Sequence, residues 1–162
     1  TPRLCLISEF MPFGSLYGLL HPSPESQQQK QQAPPVISLR QALRFALDIA
    51  RGMEFLHSPE LKVPNFRLNS RHVLDVAKIG SPVEEDMPED EMLTARLDMA
   101  DYKFSFHEKF REYNPAWMSP EKKPQDINLQ ASDMWSFGVI LWELVTRMEP
   151  FEGLDPMVIG MQ

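Results

Sequence analysis

Apolar residues recur at helical spacing from residue 39 onward: Leu39, Ala42, Leu43, Ala46, Ile49, Ala50, Met53 and Leu56. That spacing predicts a core-facing amphipathic helix of about five turns. Ser38, followed three places later by Gln41, matches a capping box at its start. The helix should end near His57, with Pro59 preventing its continuation. A second segment, 132–147, is apolar on almost every side: Met134, Trp135, Phe137, Val139, Ile140, Leu141, Trp142, Leu144 and Val145. Such a helix belongs in the middle of a domain, so Trp135, Phe137 and Trp142 are expected in the core.

The intervening segments read differently. Residues 3–10 carry Leu4, Leu6, Ile7 and Phe10 and read as a buried strand, closed by the Met11-Pro12-Phe13-Gly14 turn. Ser15 then caps a short helical turn through Leu16, Leu19 and Leu20. From His21 to Pro35 the chain is polar and Gln-rich, with little to bury, and should form a mobile surface loop. Residues 62–76 lead irregularly into a short strand at 73–76. Leu93, Ala95, Leu97 and Met99 alternate with Thr94, Arg96 and Asp98 at the period of a half-buried strand. These two strands predict a hairpin whose tip, 78–91, is acidic and expected to be disordered. Residues 101–130 show no sustained period, and a loop of that length in a compact domain is usually functional.

Length and composition narrow the classes. The 162 residues suffice for one domain with a hydrophobic core, and 43% hydrophobic with 24% charged is globular composition. Proline, at 15 residues, is near twice its usual share of ~5% and falls mostly between the periodic segments. The one cysteine, Cys5, excludes an internal disulfide framework and a cysteine-based zinc site, and a reducing compartment is the simplest reading. The net charge of −7 is local, since Glu84, Glu85, Asp86, Glu89, Asp90 and Glu91 supply six acids in one stretch. The remaining body is nearly neutral, which gives no support to nucleic-acid binding by a basic face. The 134–145 stretch is too short, and with Glu143 too polar, to cross a bilayer, so neither membrane insertion nor a secretory leader is expected.

Three motifs stand in order. Asp133-Met134-Trp135-Ser136-Phe137-Gly138-Val139 with Leu141-Trp142-Glu143-Leu144 resembles the D-x-W-S-F-G-x-x-L-W-E helix of tyrosine-kinase-like enzymes. Ala116-Trp117-Met118-Ser119-Pro120-Glu121 looks like the A-P-E end of an activation segment, and Glu9-Phe10-Met11-Pro12-Phe13-Gly14 like a hinge. The chain is similar to the integrin-linked kinase family, also through Phe45-Ala46-Leu47-Asp48-Ile49-Ala50-Arg51-Gly52-Met53, Leu68-Asn69-Ser70-Arg71 and Met99-Ala100-Asp101-Tyr102-Lys103-Phe104. The resemblance leaves out only the Gln-rich and acidic insertions. It implies an α+β, protein-kinase-like fold, here a mainly helical large (C-terminal) lobe truncated at both ends. Its parts would be a hinge at 8–14, a Gln/Pro-rich insertion at 21–37, a catalytic loop at 65–72, an acidic insertion at 78–91, an activation segment at 101–121 and a central helix at 132–147.

Phosphoryl transfer needs a carboxylate for the substrate hydroxyl and oxygen ligands for magnesium. Aligned through Arg71 and Val73-Leu74, the catalytic loop reads Asn65-Phe66-Arg67-Leu68-Asn69-Ser70-Arg71-His72. Arg67 stands where the base aspartate should be, and a guanidinium neither accepts a hydrogen bond nor deprotonates in a protein. His72 stands where the metal-binding asparagine should be, and imidazole is a poor ligand for hard magnesium. Both positions are degenerate, so no catalytic residue is assigned. Asp101 occupies the position of the D-F-G aspartate and would hold one Mg²⁺, or else is a solvated loop carboxylate. Lys103 either supplies countercharge to ATP phosphates or is a surface lysine. Met11 would bond adenine from the hinge backbone and Leu74 would floor the pocket.

The resemblance further implies structural roles for Asp133, as acceptor for the catalytic-loop backbone, and for Glu121, which normally pairs with an arginine further along the large lobe. The implied function is a pseudokinase scaffold, cytoplasmic at cell–matrix adhesions, linking integrin tails to actin. A parvin-like actin-linking partner would dock near Met157, Ile159 and Met161. Without a glycine-rich loop, small-lobe lysine or partner glutamate, these residues are expected to form a marginally stable fragment with half a nucleotide site. An active ATP-dependent protein kinase is the rival reading, and a gene fragment without independent function a third.

Overall fold

The computed structural model describes residues 14–23, 37–61, 68–74, 93–98, 115–121 and 128–161. The strand expected at 3–10, most of the hinge, the two insertions, the catalytic loop up to residue 67 and residues 99–114 lie outside the described residues. Helix α1 spans Leu16–Leu20, α2 Leu39–Leu56, α3 Leu129–Thr146 and α4 Pro156–Met161. Two single-turn 3₁₀ segments, Ser70–His72 and Pro115–Trp117, and two short strands, β1 Val73–Leu74 and β2 Arg96–Leu97, complete the described elements.

The first three helices each begin where a polar side chain satisfies an amide that no helical carbonyl can reach. Ser15 accepts from Gly18 N at 3.2 Å, Ser38 from Gln41 N at 3.1 Å and Asn128 from Ala131 N at 3.2 Å. The Asn128 cap starts α3 at Leu129, three residues before the expected start. The capping box at Ser38 is only half formed. The Gln41 side chain turns inward, donating to Leu93 O at 2.8 Å and accepting from Leu93 N at 3.3 Å. Its amide pairs with the approach to β2 as a neighbouring strand would.

The burial on α2 also departs from the expected face. Gln41, Phe45, Ile49 and Met53 form a buried row with Ala42 and Leu56, whereas Leu39 and Leu43 are exposed, together with Leu47 and Phe55. The sequence offered two apolar rows on one helix, and seating Phe45 in the core rotates Leu39 and Leu43 away from it. The expected hairpin is present in the described residues: β1 and β2 pair antiparallel, with Val73 opposite Leu97 and Leu74 opposite Arg96. Leu97 lies against α2 at Gly52, where an added Cβ would stand 2.9 Å from Leu97 Cδ1.

Helix α3 corrects the reading of an all-round buried rod. Its buried residues are Asp133, Ser136, Ile140, Glu143 and Leu144, one stripe at helical spacing that includes three polar side chains. Trp135 and Trp142, expected in the core, are 51% and 42% exposed, while Phe137 packs against the core at its edge. Among the described residues, the α3 face bearing both tryptophans is covered only by the turn at Pro150 and Phe151. Together they line an open apolar groove of about 490 Å³. The core proper joins Leu16 and Leu20 of α1, the inner face of α2, Leu68, Val73, Trp117, Ile140 and Leu144.

Candidate functional site

Where the sequence predicts the nucleotide side, Gly14 adopts φ +85°, a conformation that favours glycine, and leads from the expected hinge into α1. Ser15 then forms an antiparallel bridge with Leu74, so the chain entering α1 lies against β1. Leu74, the expected pocket floor, is half-buried there. The turn before β1 is capped by Asn69, whose Oδ1 accepts from Arg71 N at 2.9 Å and whose amide nitrogen lies 3.3 Å from His72 Nδ1. The His72 carbonyl accepts from Asp98 N at 2.7 Å, tying the turn to the end of β2. With Nδ1 beside a neutral amide and only imidazole nitrogen to offer, the His72 side chain does not fit a magnesium ion. Among the described residues no group of three or more His, Cys, Asp or Glu side chains could hold a metal. Met11, Arg67, Asp101 and Lys103 lie outside the described residues.

Two buried carboxylates project from the inner stripe of α3, and each meets a histidine at the C-terminal end of another helix. Asp133, 1% exposed, places Oδ2 2.8 Å from Nε2 of His57, the C-cap of α2. The part of the expected catalytic loop at 65–67, whose backbone Asp133 was expected to hold, lies outside the described residues.

Glu143, fully buried, holds three side chains from three other parts of the chain. Its Oε1 accepts from Ser70 Oγ at 2.9 Å and lies 3.0 Å from Nε2 of His21, the C-cap of α1. Its Oε2 accepts from Trp117 Nε1 at 2.7 Å. A buried carboxylate is tolerated only when its lone pairs are satisfied, and here three donors converge on it. His21, expected to lie in a mobile loop, is therefore pinned to the central helix. Along the sequence Glu143 reads only as a charge within an apolar run. That charge was itself the available signal, because an acid inside a core helix requires partners.

Beside this cluster, the Tyr17 hydroxyl donates to Glu149, and the Arg71 guanidinium stacks 3.6 Å over the Tyr17 ring. The ring also meets Trp117 edge-on, with centroids 6.2 Å apart. Burial, reinforced by the hydrogen bond to Glu149, pushes the Tyr17 phenol up to about 12.

The Pro115–Trp117 turn is fixed from below by Ser136 Oγ, which donates to Trp117 O at 2.7 Å, and continues to Ser119, whose hydroxyl lies 2.8 Å from that of Ser132. Glu121 is exposed, and a hydrogen bond from Ser119 holds its carboxyl below the usual range. Helix α4 rests on this turn. Of the residues expected to meet a partner, Ile159 packs inward against the core while Met157 and Met161 are 71% and 70% exposed. The three therefore divide between holding α4 in place and facing outward. Among the described residues no helix is long and apolar enough to cross a membrane.

Comparison with known proteins agrees with the motifs. The chain is 49% identical over 164 residues to integrin-linked protein kinase homolog pat-4 of Caenorhabditis elegans, covering 99% of this chain and 30% of that protein. It is 47% identical over 165 residues to scaffold protein ILK of Homo sapiens, covering all of this chain and 31% of that one. Serine/threonine-protein kinase CTR1 of Arabidopsis thaliana is 32% identical over 162 residues, covering 96% of this chain and 17% of that protein. The chain thus spans about a third of the length of the first two relatives, and the resemblance to integrin-linked kinase read from the motifs is borne out. The family profile for protein tyrosine and serine/threonine kinases matches residues 1–160, and with the mainly helical fold it establishes that the chain belongs to the protein tyrosine and serine/threonine kinase family.

Proposed function

We propose that this chain is part of a kinase-fold scaffold that holds nucleotide, transfers no phosphate, and docks a protein partner through α4. The observation that carries the reading is Arg67 at the position of the catalytic base, where a fixed cation replaces the carboxylate that phosphoryl transfer requires. His72 adds to it, because its ring faces Asn69 and offers magnesium no oxygen. The retained residues have binding roles: the Met11 backbone toward adenine, Leu74 beneath it, Asp101 toward a single Mg²⁺ and Lys103 toward the phosphates. ATP bound there would supply a folded pocket with its ligand and undergo no transfer.

The scaffold half of the reading rests on the relatives named scaffold protein ILK and integrin-linked protein kinase homolog. It places the protein at cell–matrix adhesions, between integrin tails and a parvin-like actin-linking partner. That partner would seat on Met157 and Met161, with Ile159 anchoring α4 beneath them. Glu121 and Asp133 are given structural roles in this reading.

The test is transfer of labelled phosphate from ATP by the full chain joined to its small lobe, beside the Asp101→Ala variant. No transfer from either is expected. Transfer by the unaltered protein that is lost in the variant would establish the second reading, an active protein kinase, which the surviving Asp101 and the similarity to CTR1 favour. Docking is tested by titrating the parvin-like partner against the chain and against Met157→Asp/Met161→Asp. The double variant should bind at least about tenfold more weakly, since each introduced carboxylate would be buried unpaired.

A further inference from the structure

Methionine is among the residue types most often buried, and Met53 in α2 follows that rule. Helix α4 does the reverse: Met157 and Met161 are 71% and 70% exposed, and four residues apart they stand one above the other on the same helix face. Met118, immediately after the turn on which α4 rests, is half exposed as well. Ile159, half-buried, packs against the core on the other side, so the thioethers can change without unseating the helix. The outward surface of α4 thus carries soft, oxidisable sulfur at both of the positions assigned above to partner docking.

We infer that Met157 and Met161 form an oxidation-sensitive modification site, at which a peroxide converts the docking face from apolar to polar and releases the partner. The inference rests on the docking reading of α4. In each step a thioether sulfur lone pair attacks the peroxide oxygen and the O–O bond breaks as the S–O bond forms. Sulfur is oxidised by two electrons and hydrogen peroxide is reduced to one water. The product is a sulfoxide, whose oxygen is a strong acceptor that an apolar interface leaves unpaired. Methionine is favoured at adaptable binding surfaces because its flexible thioether fits irregular partners, and the sulfoxide loses that property. Reduction by methionine sulfoxide reductases, one for each epimer, makes the change reversible.

The experiment measures the affinity of the full chain for the parvin-like partner before and after hydrogen peroxide. A thiol reductant is then added so that Cys5 chemistry is reversed while sulfoxides persist. Peptide mass analysis locates the added oxygen. The oxidised chain should bind at least about tenfold more weakly, and treatment with both reductases should restore the starting affinity. The Met157→Leu/Met161→Leu variant, whatever its own starting affinity, should keep the same value before and after peroxide. Unchanged affinity of the oxidised chain, or an equal loss in the double-leucine variant, overturns the inference alone. Absence of binding by the untreated chain overturns the docking reading and the inference together.

Discussion

Trp117 donates its indole N–H to Glu143 Oε2 at 2.7 Å, joining the Pro115–Trp117 turn to α3 with both side chains buried. Ser70 and His21 reach the other oxygen of the same carboxylate. One side chain of α3 therefore sets the relative positions of α1, the turn before β1 and the turn beneath α4.

Glu143→Ala should cost about 3–5 kcal/mol, because it strands donors in the core as well as deleting an acceptor. Trp117→Phe, which keeps an aromatic ring and removes the indole N–H, should cost about 1–3 kcal/mol. Denaturant titration of the three proteins checks the order. Equal stability of Glu143→Ala and the unaltered chain would remove the cluster from any structural role.

The raised Tyr17 phenol makes stability depend on alkaline pH. Its folded value of about 12 lies above the ordinary value of 10.0, so the folded state holds the proton more tightly than the unfolded one. The contribution is complete below pH about 10 and is lost as pH rises toward about 12. Tyr17→Phe should flatten the stability profile in that window, and a phenolate absorbance titration should show one tyrosine ionising late.

Leu97 packs into the space that Gly52 leaves open, and a Cβ at residue 52 would stand only 2.9 Å from Leu97 Cδ1. Gly52→Val should destabilise by about 1–3 kcal/mol through overpacking, despite the poor helix propensity of glycine. In the Leu97→Ala background the same change should cost less, and a double-mutant cycle measures the difference. Strict additivity would mean that the two sites do not press on each other.

The two long helices depend on their first residues. Ser38→Ala and Asn128→Ala should each lower stability by about 1 kcal/mol, while Ser38→Asp should be close to neutral. Thermal unfolding followed by circular dichroism reads all three.

Much of this protein was legible without coordinates because helix caps, turn residues and local periodicity act within a few positions of the chain. Ser15, Ser38 and Gly14 each placed an element correctly on local grounds, and the alternation at 93–99 pointed to a strand of which only Arg96–Leu97 pairs among the described residues. The proposal that phosphate is not transferred is likewise a reading of the sequence, since the Arg67 guanidinium cannot act as a base wherever it is placed. What depended on distant contacts was not. Periodicity identified apolar rows on α2 and α3 but could not choose which row faces inward. That choice is made by what packs there: Phe45 rather than Leu39 and Leu43 on α2, and the polar trio Asp133, Ser136 and Glu143 rather than Trp135 and Trp142 on α3.

The same limit hid the Glu143 cluster. Its members lie at 21, 70, 117 and 143, with no shared spacing, and each alone reads as an ordinary loop or helix residue. The amino-acid order by itself located the main elements and the kinase lineage and raised the proposal of a missing base, because those depend on neighbouring side chains and on residue chemistry. Tertiary structure alone decided which carboxylates are buried, which histidines they hold and which methionines face out. Those outcomes follow from satisfying every buried polar group at once, and that constraint exists only after distant segments have met.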